Sequence, residues 1–369
     1  MVSWEGTPEL ASATAGLLGE RDATLASIEE WLQVLDAQTL DAGTVEIVPV
    51  PMDRDRAERW RHLAAMSSDD WAFVSRSDGS VIAVDEPSEL GLDAPEAAVT
   101  YPTLHTRLGA WWLFHAWRSV DLTYDSLSSL RSWRLNSSAV ATRALIETTG
   151  CLLHEARGMA DAWSKCKQAG QTDPLERSND VHNALGPLLA RAAFGSRARV
   201  AEGRMPATNV LTYVQKLSKA TSDGRFEEWY DWLSDAGHPA WGARIAMGSD
   251  PHVHESQAVM LRFYARSPLT LTDGKSRTRY EYPIFERIAD SLIGCVAVLE
   301  PVLSQALQLV DDFGLTTAAA AYTRRSYWRD FTPVKGNRDC PCGCGKWNAS
   351  GHRWGSLGPV VTVPATHSV

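Results

Sequence analysis

The sequence predicts a mainly α protein: a helical bundle with a small α+β N-terminal section and a C-terminal zinc-knuckle-like tail. Three observations carry this expectation. From Leu104 onward, apolar residues recur at three- and four-residue steps over most of the chain, which is helical spacing. β-Branched runs closed by turn residues are concentrated in the first hundred or so positions. Three of the six cysteines, Cys340, Cys342 and Cys344, fall close together near the end, with His352 just beyond.

The expected organisation is therefore an α+β section over 1–102, a helical domain over 103–332, and a linker with a metal-binding tail over 333–369. Within the first section, residues 8–37 read as helix, with Leu17, Leu18, Leu25, Ile28, Trp31, Leu32 and Leu35 on the apolar side. Residues 44–51 read as a strand closed by prolines, and 54–65 return to helical spacing. The segment 72–84 is a hairpin signal, since two β-rich arms flank Ser-Asp-Gly-Ser and Asp-Gly supplies a positive-φ turn.

In the second section, Leu108–Tyr124 is apolar nearly all round and is expected to be deeply buried. Asn136–Cys166 is the longest periodic stretch. Asp173-Pro174 is a cap followed by proline at the first helical position, starting a helix that runs to about Phe194. Residues 207–220 and 226–235 give two short helices, the second stopped by Gly237-His238-Pro239. Leu269–Tyr282 reads as a hairpin over Asp273-Gly274 or as a basic loop. Pro283–Val310 is a long helix that Pro301 kinks or restarts, and 318–329 is a further helix.

Composition bounds the function. The chain has 369 residues, 44% apolar and 22% charged, an ordinary globular balance with room for a large core. Its formal net charge of −9 speaks against phosphate tracking by the whole surface, yet leaves room for a local basic patch. Most of the fifteen tryptophans are expected in the core. Cys151, Cys166 and Cys295 are scattered and do not form a secreted disulfide pattern. The first residues have no basic n-region and no apolar h-region, so no signal peptide is expected. The run Ile288–Val310 is broken by Asp290, Glu300 and Pro301 and reads as a core helix rather than a membrane span. A cytoplasmic protein with no membrane partner is the expectation. There is no Walker loop, no Rossmann glycine fingerprint, no G-x-S-x-G elbow and no H-E-x-x-H, which argues against the commonest nucleotide, hydrolase and zincin mechanisms.

Four groups of residues are candidates for chemistry. Arg143, Glu147 and His154 share one helix, where they line a pocket or form an ordinary i, i+4 ion pair beside a half-buried histidine. The stretch Tyr230-Asp231-Trp232-Leu233-Ser234-Asp235-Ala236-Gly237-His238-Pro239 resembles a line seen in helical bacterial domains of unknown function, in which an upstream helix carries a motif like Arg143-Ala144-Leu145-Ile146-Glu147. That resemblance implies a ligand pocket of Arg143, Glu147 and Ser234, with His238 as a general base or as a helix cap. Arg177 and His182 fit the R-x4-H spacing of HEPN ribonucleases. By that resemblance Arg177 would hold phosphate, His182 would move a proton at a 2′-hydroxyl, and the chain would form a homodimer in a toxin or phage-defence system. His252 and His254, with Asp250 and Glu255, form a second metal site or a solvated polar loop.

Cys340, Cys342, Cys344 and His352 supply a Cys3His set suited to tetrahedral zinc, in a loop that glycines 343, 345 and 351 allow to turn tightly. The run Cys340-Pro341-Cys342-Gly343-Cys344-Gly345-Lys346 resembles the SEC-C motif, a small zinc module. Cys344 stands where that family usually has serine, and its third ligand position falls on Gly351, so Cys344 would have to replace it. The resemblance implies zinc as cofactor and contacts with protein or nucleic acid through the tail, for which Lys346, Trp347, Arg353 and Trp354 are suitable. The alternative is a tail that has lost its metal. The resulting expectation is a cytoplasmic binding or adaptor protein, with the HEPN-like ribonuclease as the alternative.

Overall fold

The computed structural model describes residues 8–44, 55, 58–59, 62, 71–75, 81–85, 95–196, 205–221, 224–239, 241–248, 252–254, 258–262, 264, 270–273, 276–279 and 283–319. The whole of 333–369, with the cysteine cluster and His352, lies outside the described residues, as do most of the strand expected over 44–51, most of the helix expected over 54–65, and all but the start of the helix expected over 318–329.

The fold is mainly α, a helical bundle with short two-stranded ribbons, as the periodicity predicts. Among the described residues the helices are α1 (Pro8–Leu18), α2 (Glu20–Thr39), α3 (Pro95–Arg131), α4 (Leu135–Gln168), α5 (Pro174–Phe194), α6 (Val210–Thr221), α7 (Arg225–Gly237), α8 (Trp241–Ile245) and α9 (Pro283–Thr317). The strands pair as antiparallel β1 (Trp71–Ser75) with β2 (Val81–Asp85), parallel β3 (Gly195–Ser196) with β4 (Met205–Pro206), antiparallel β5 (His252–His254) with β6 (Val259–Leu261), and antiparallel β7 (Thr270–Asp273) with β8 (Ser276–Arg279).

Several elements depart from the sequence expectation for identifiable reasons. The helix expected over 8–37 is two helices, broken at Gly19, whose φ of 59° lies in the left-handed region that glycine reaches without penalty. The boundary expected at 102 falls inside α3. Pro102 does not stop that helix, and Pro301 does not stop α9. The stretch around Trp111 is not buried all round: Phe114 is 55% exposed and rests on Trp117, with ring centroids 5.6 Å apart. The expected hairpins over 72–84 and 269–282 both form, Phe73 pairing with Ala83 and Asp273 with Ser276.

The chain divides into two compact units that alternate along the sequence. One comprises 1–40, 114–154 and 208–304, the other 41–113, 155–207 and 305–369. In the first unit, Leu25, Ile28, Leu32 and Leu35 of α2 are buried at helical spacing. Burying each such side chain stabilises by roughly 1.5–3 kcal/mol. Arg21 of α2 reaches α9, with Nε 2.6 Å from Asp290 Oδ1 and Nη2 3.3 Å from Glu286 Oε2. Arg131 pairs with Glu29. Hydroxyls line the contact between α3 and α4: Ser126 Oγ is 2.6 Å from Thr142 Oγ1, and Ser138 Oγ donates to the Ser126 carbonyl at 2.9 Å. Small side chains with internally satisfied hydroxyls let the two helices pass closely.

The turn between α3 and α4 is a Schellman motif. Arg134 N donates to Ser129 O at 2.8 Å and Trp133 N to Leu130 O at 3.1 Å. Its left-handed position, usually glycine, is Trp133 at φ 56°. The tryptophan is buried and packs on Phe285 at a centroid distance of 4.8 Å, so core packing offsets backbone strain.

In the second unit, Phe313 of α9 gathers Tyr101, His105 and Trp163 around its ring, with centroids 6.3, 6.4 and 4.8 Å away. Trp163 Nε1 and Lys167 Nζ both donate to Asp312 Oδ2, at 2.7 and 2.6 Å. Asp173 caps α5 as expected, its Oδ1 accepting from Glu176 N at 3.1 Å.

Candidate functional site

The first unit brings Arg143 and Glu147, two of the sequence-predicted pocket residues, to Tyr230. Arg143 and Glu147 lie one turn apart on α4, which continues without interruption because Leu145, Ile146, Leu152 and Leu153 supply its buried side. Tyr230 comes from α7, where Phe226, Trp229, Leu233 and Ala236 are buried with it. Arg143 Nη2 donates to Tyr230 Oη at 3.1 Å, and Tyr230 Oη donates to Glu147 Oε1 at 3.1 Å. Arg143 Nε lies 3.3 Å from the same Glu147 oxygen, an ion-pair separation without hydrogen-bond alignment. The guanidinium carbon also sits 5.0 Å from the Tyr230 ring centroid.

The three groups are linked to one another, while the arginine and glutamate keep about a third and a quarter of their side-chain surface open to solvent. Such a set can fix helix positions and present a paired charge. These bonds engage the phenol, the guanidinium and one of the two carboxylate oxygens of Glu147.

The other pocket candidates are placed differently. Ser234 Oγ donates to the Tyr230 carbonyl at 2.6 Å, one turn back on its own helix, so its hydroxyl is committed to the backbone. His238 is the C-cap of α7, its backbone N–H bonding Ser234 O and Asp235 O, and the residue is exposed. His154 stands beside Lys216, whose Nζ is 3.0 Å from Nδ1, and beside the Tyr213 ring at 5.6 Å.

Arg177 and His182 lie in the second unit on one uninterrupted helix, α5. Five residues turn an α-helix by about 140° relative to a shared face. Arg177 is exposed, whereas His182 is half-buried with its ring about 3.7 Å from the position a Cβ on Gly186 would take. One copy of the helix therefore does not bring the two side chains to one face. His252 and His254 fall on β5, paired with β6.

Two buried titratable groups stand apart from these candidates. The Cys295 thiol of α9 is fully buried, 3.3 Å from Thr149 Oγ1, and burial pushes it up to about 12. His105 is lowered to about 4 by burial alone. Neither carried a sequence signal beyond its place in an apolar periodicity.

The fold and this site together define a mainly α protein whose polar cluster pins one helix to another. Comparisons with protein-family models, with curated proteins and with solved structures each found no match.

Proposed function

We propose that the chain is a cytoplasmic binding or adaptor protein in which residues 340–352 fold around zinc and contact protein or nucleic acid. The observation that carries this reading is the grouping of Cys340, Cys342 and Cys344 with His352, a ligand set matched to a closed tetrahedral site. A segment so short has no core of its own, so metal binding supplies its folding energy. The helical body suits a scaffold, since Arg143, Glu147 and Tyr230 are engaged with one another. The ribonuclease alternative draws less support, because Arg177 and His182 leave α5 in different directions. It would need a second copy of the chain to complete a site.

The test is elemental mass spectrometry of the purified full chain beside Cys342→Ser. One zinc per wild-type chain, lost in the variant, supports the reading. Absence of zinc from the freshly purified wild type, with no uptake on adding zinc, overturns it. The ribonuclease alternative has its own test, cleavage of a single-stranded RNA by wild type and by His182→Ala.

A further inference from the structure

The first unit also carries a surface on which arginines and aromatic rings alternate. Trp241 opens α8 and is 59% exposed, and Tyr264 is 49% exposed. The Arg262 guanidinium carbon lies 5.3 Å from the Trp241 ring centroid, and that of Arg244 lies 6.0 Å from the Tyr264 ring. The two cation–π pairs thus cross-link segment 241–248 to segment 259–264, and Gly248 pairs with Tyr264 through an isolated antiparallel bridge. Met247 and Met260 are exposed beside them, at 41% and 67%.

We propose that this surface is a docking platform for single-stranded nucleic acid. Each exposed ring thus carries a guanidinium charge within cation–π distance. Guanidinium charge suits an anion, and exposed indole and phenol rings suit a flat face. A single strand offers both at every nucleotide, as phosphate and base. A duplex hides its base faces in the stack, and an acidic peptide offers charge without the face. The chain's net charge of −9 does not oppose this, since the contact is local.

The platform is also held in place. A Cβ at Gly248 would come within 3.2 Å of Arg262 Cδ and of Tyr264 Cε1, and a Cβ at Gly242 would come within 2.3 Å of the Asp235 carbonyl. Both glycines permit close packing, which seats α8 on α7 and braces Arg262 and Tyr264. The rings are therefore positioned before any ligand arrives, and ordering them costs little on binding.

The experiment is fluorescence anisotropy with the full chain, using a short labelled oligouridylate, the matching oligothymidylate and a duplex of equal length at low salt. Both single strands are expected to bind, and the duplex more weakly. Trp241→Ala and Tyr264→Ala are each expected to weaken binding about tenfold, with Trp241→Phe retaining most of it. Arg262→Gln is expected to lower the slope of log K against log salt by about 0.7. Trp241 and Tyr264 are largely exposed, so circular dichroism is expected to show unchanged helix in these variants. Should an alanine variant lose helical signal, Arg262→Gln carries the test. The same losses are expected in the Cys342→Ser background, which separates this platform from the tail. Three outcomes overturn the proposal: no single-strand binding by the wild type, alanine variants of the rings that bind as the wild type does, or binding that vanishes entirely in Cys342→Ser. Equal competition by polyglutamate overturns it as well, and assigns the surface to acidic peptides.

Discussion

The Tyr230 hydroxyl donates to Glu147 Oε1 at 3.1 Å across a sequence separation of 83 residues, and it accepts from Arg143 at the same distance. One phenol thus joins both members of an intrahelical ion pair to a second helix. A surface pair of this kind contributes a few tenths of a kcal/mol by itself, so the phenol is the larger part of the link.

Removing that hydroxyl tests the point. Tyr230→Phe keeps the ring and its packing, and is expected to destabilise by about 1 kcal/mol, the figure for a partly exposed hydrogen bond to charged groups. Arg143→Ala in the Tyr230→Phe background should cost less than Arg143→Ala alone. Urea unfolding of the single and double variants measures the coupling. Additive losses would mean that the three groups are neighbours without being a network.

Trp133 gives a reversal of the usual order of substitutions. Alanine at a left-handed Schellman position keeps the Cβ strain and removes the indole that packs on Phe285, so Trp133→Ala is expected to cost about 3–5 kcal/mol. Trp133→Gly also loses the indole but relieves the strain, and should be more stable than the alanine variant by about 1 kcal/mol. Thermal melts of the two variants decide it. Alanine equal to or better than glycine would refute the strain.

Gly294 faces the edge of an indole. A Cβ there would lie 2.5 Å from Trp229 Cη2, closer than atoms pack. Gly294→Ala therefore forces Trp229 or α9 to shift and is expected to cost about 1–3 kcal/mol, despite alanine's better helix propensity. Gly158 of α4 has no such neighbour within 4 Å, so Gly158→Ala should be neutral or stabilising. Denaturant midpoints of the two variants should move in opposite directions or differ by at least the cost of the clash.

The pH dependence has a definite sign. His105 titrates near 6.5 in the unfolded chain and near 4 when folded, because burial disfavours the imidazolium. Below 6.5 the unfolded state binds the additional proton, so stability falls as pH drops from 6.5 to 4, by up to about 3 kcal/mol. Above 6.5 the histidine contributes no slope. His105→Gln should flatten the curve in that window. Asp312 acts lower. Hydrogen bonds from Lys167 first, then from Trp163, hold its carboxyl below the usual range, so its contribution is present above the unfolded carboxylate value and is lost as pH falls through the depressed one. That second loss should survive in His105→Gln. Unfolding free energies at stepped pH separate the two.

Much of the architecture was legible in the sequence because helices are written locally. The buried positions Leu25, Ile28, Leu32 and Leu35 were readable from spacing alone, and Asp173-Pro174 marked the start of α5 to the residue. The break at Gly19 was not legible, since one glycine in an apolar periodicity is compatible with a continuous helix. The exposure of Phe114 was not legible either, because spacing says which residues are apolar and not whether a neighbour covers them. Of the candidate site, Arg143 and Glu147 are readable as an i, i+4 pair, whereas the bond from Ser234 to the Tyr230 carbonyl is not.

The sequence by itself determined the helical class, both ends of α5, the start of α9 and the cysteine–histidine grouping at 340–352, for each depends on residues within a few turns of one another. Only the tertiary structure decided that Tyr230 completes the Arg143–Glu147 pair, that Trp133 is held in a glycine's conformation by Phe285, and that Trp241 and Tyr264 meet Arg262 and Arg244 at the surface. In the first two cases the partners lie on separate helices, and in the third on two segments separate in the sequence. Local periodicity fixes the direction in which a side chain leaves its helix, but packing alone fixes what it meets.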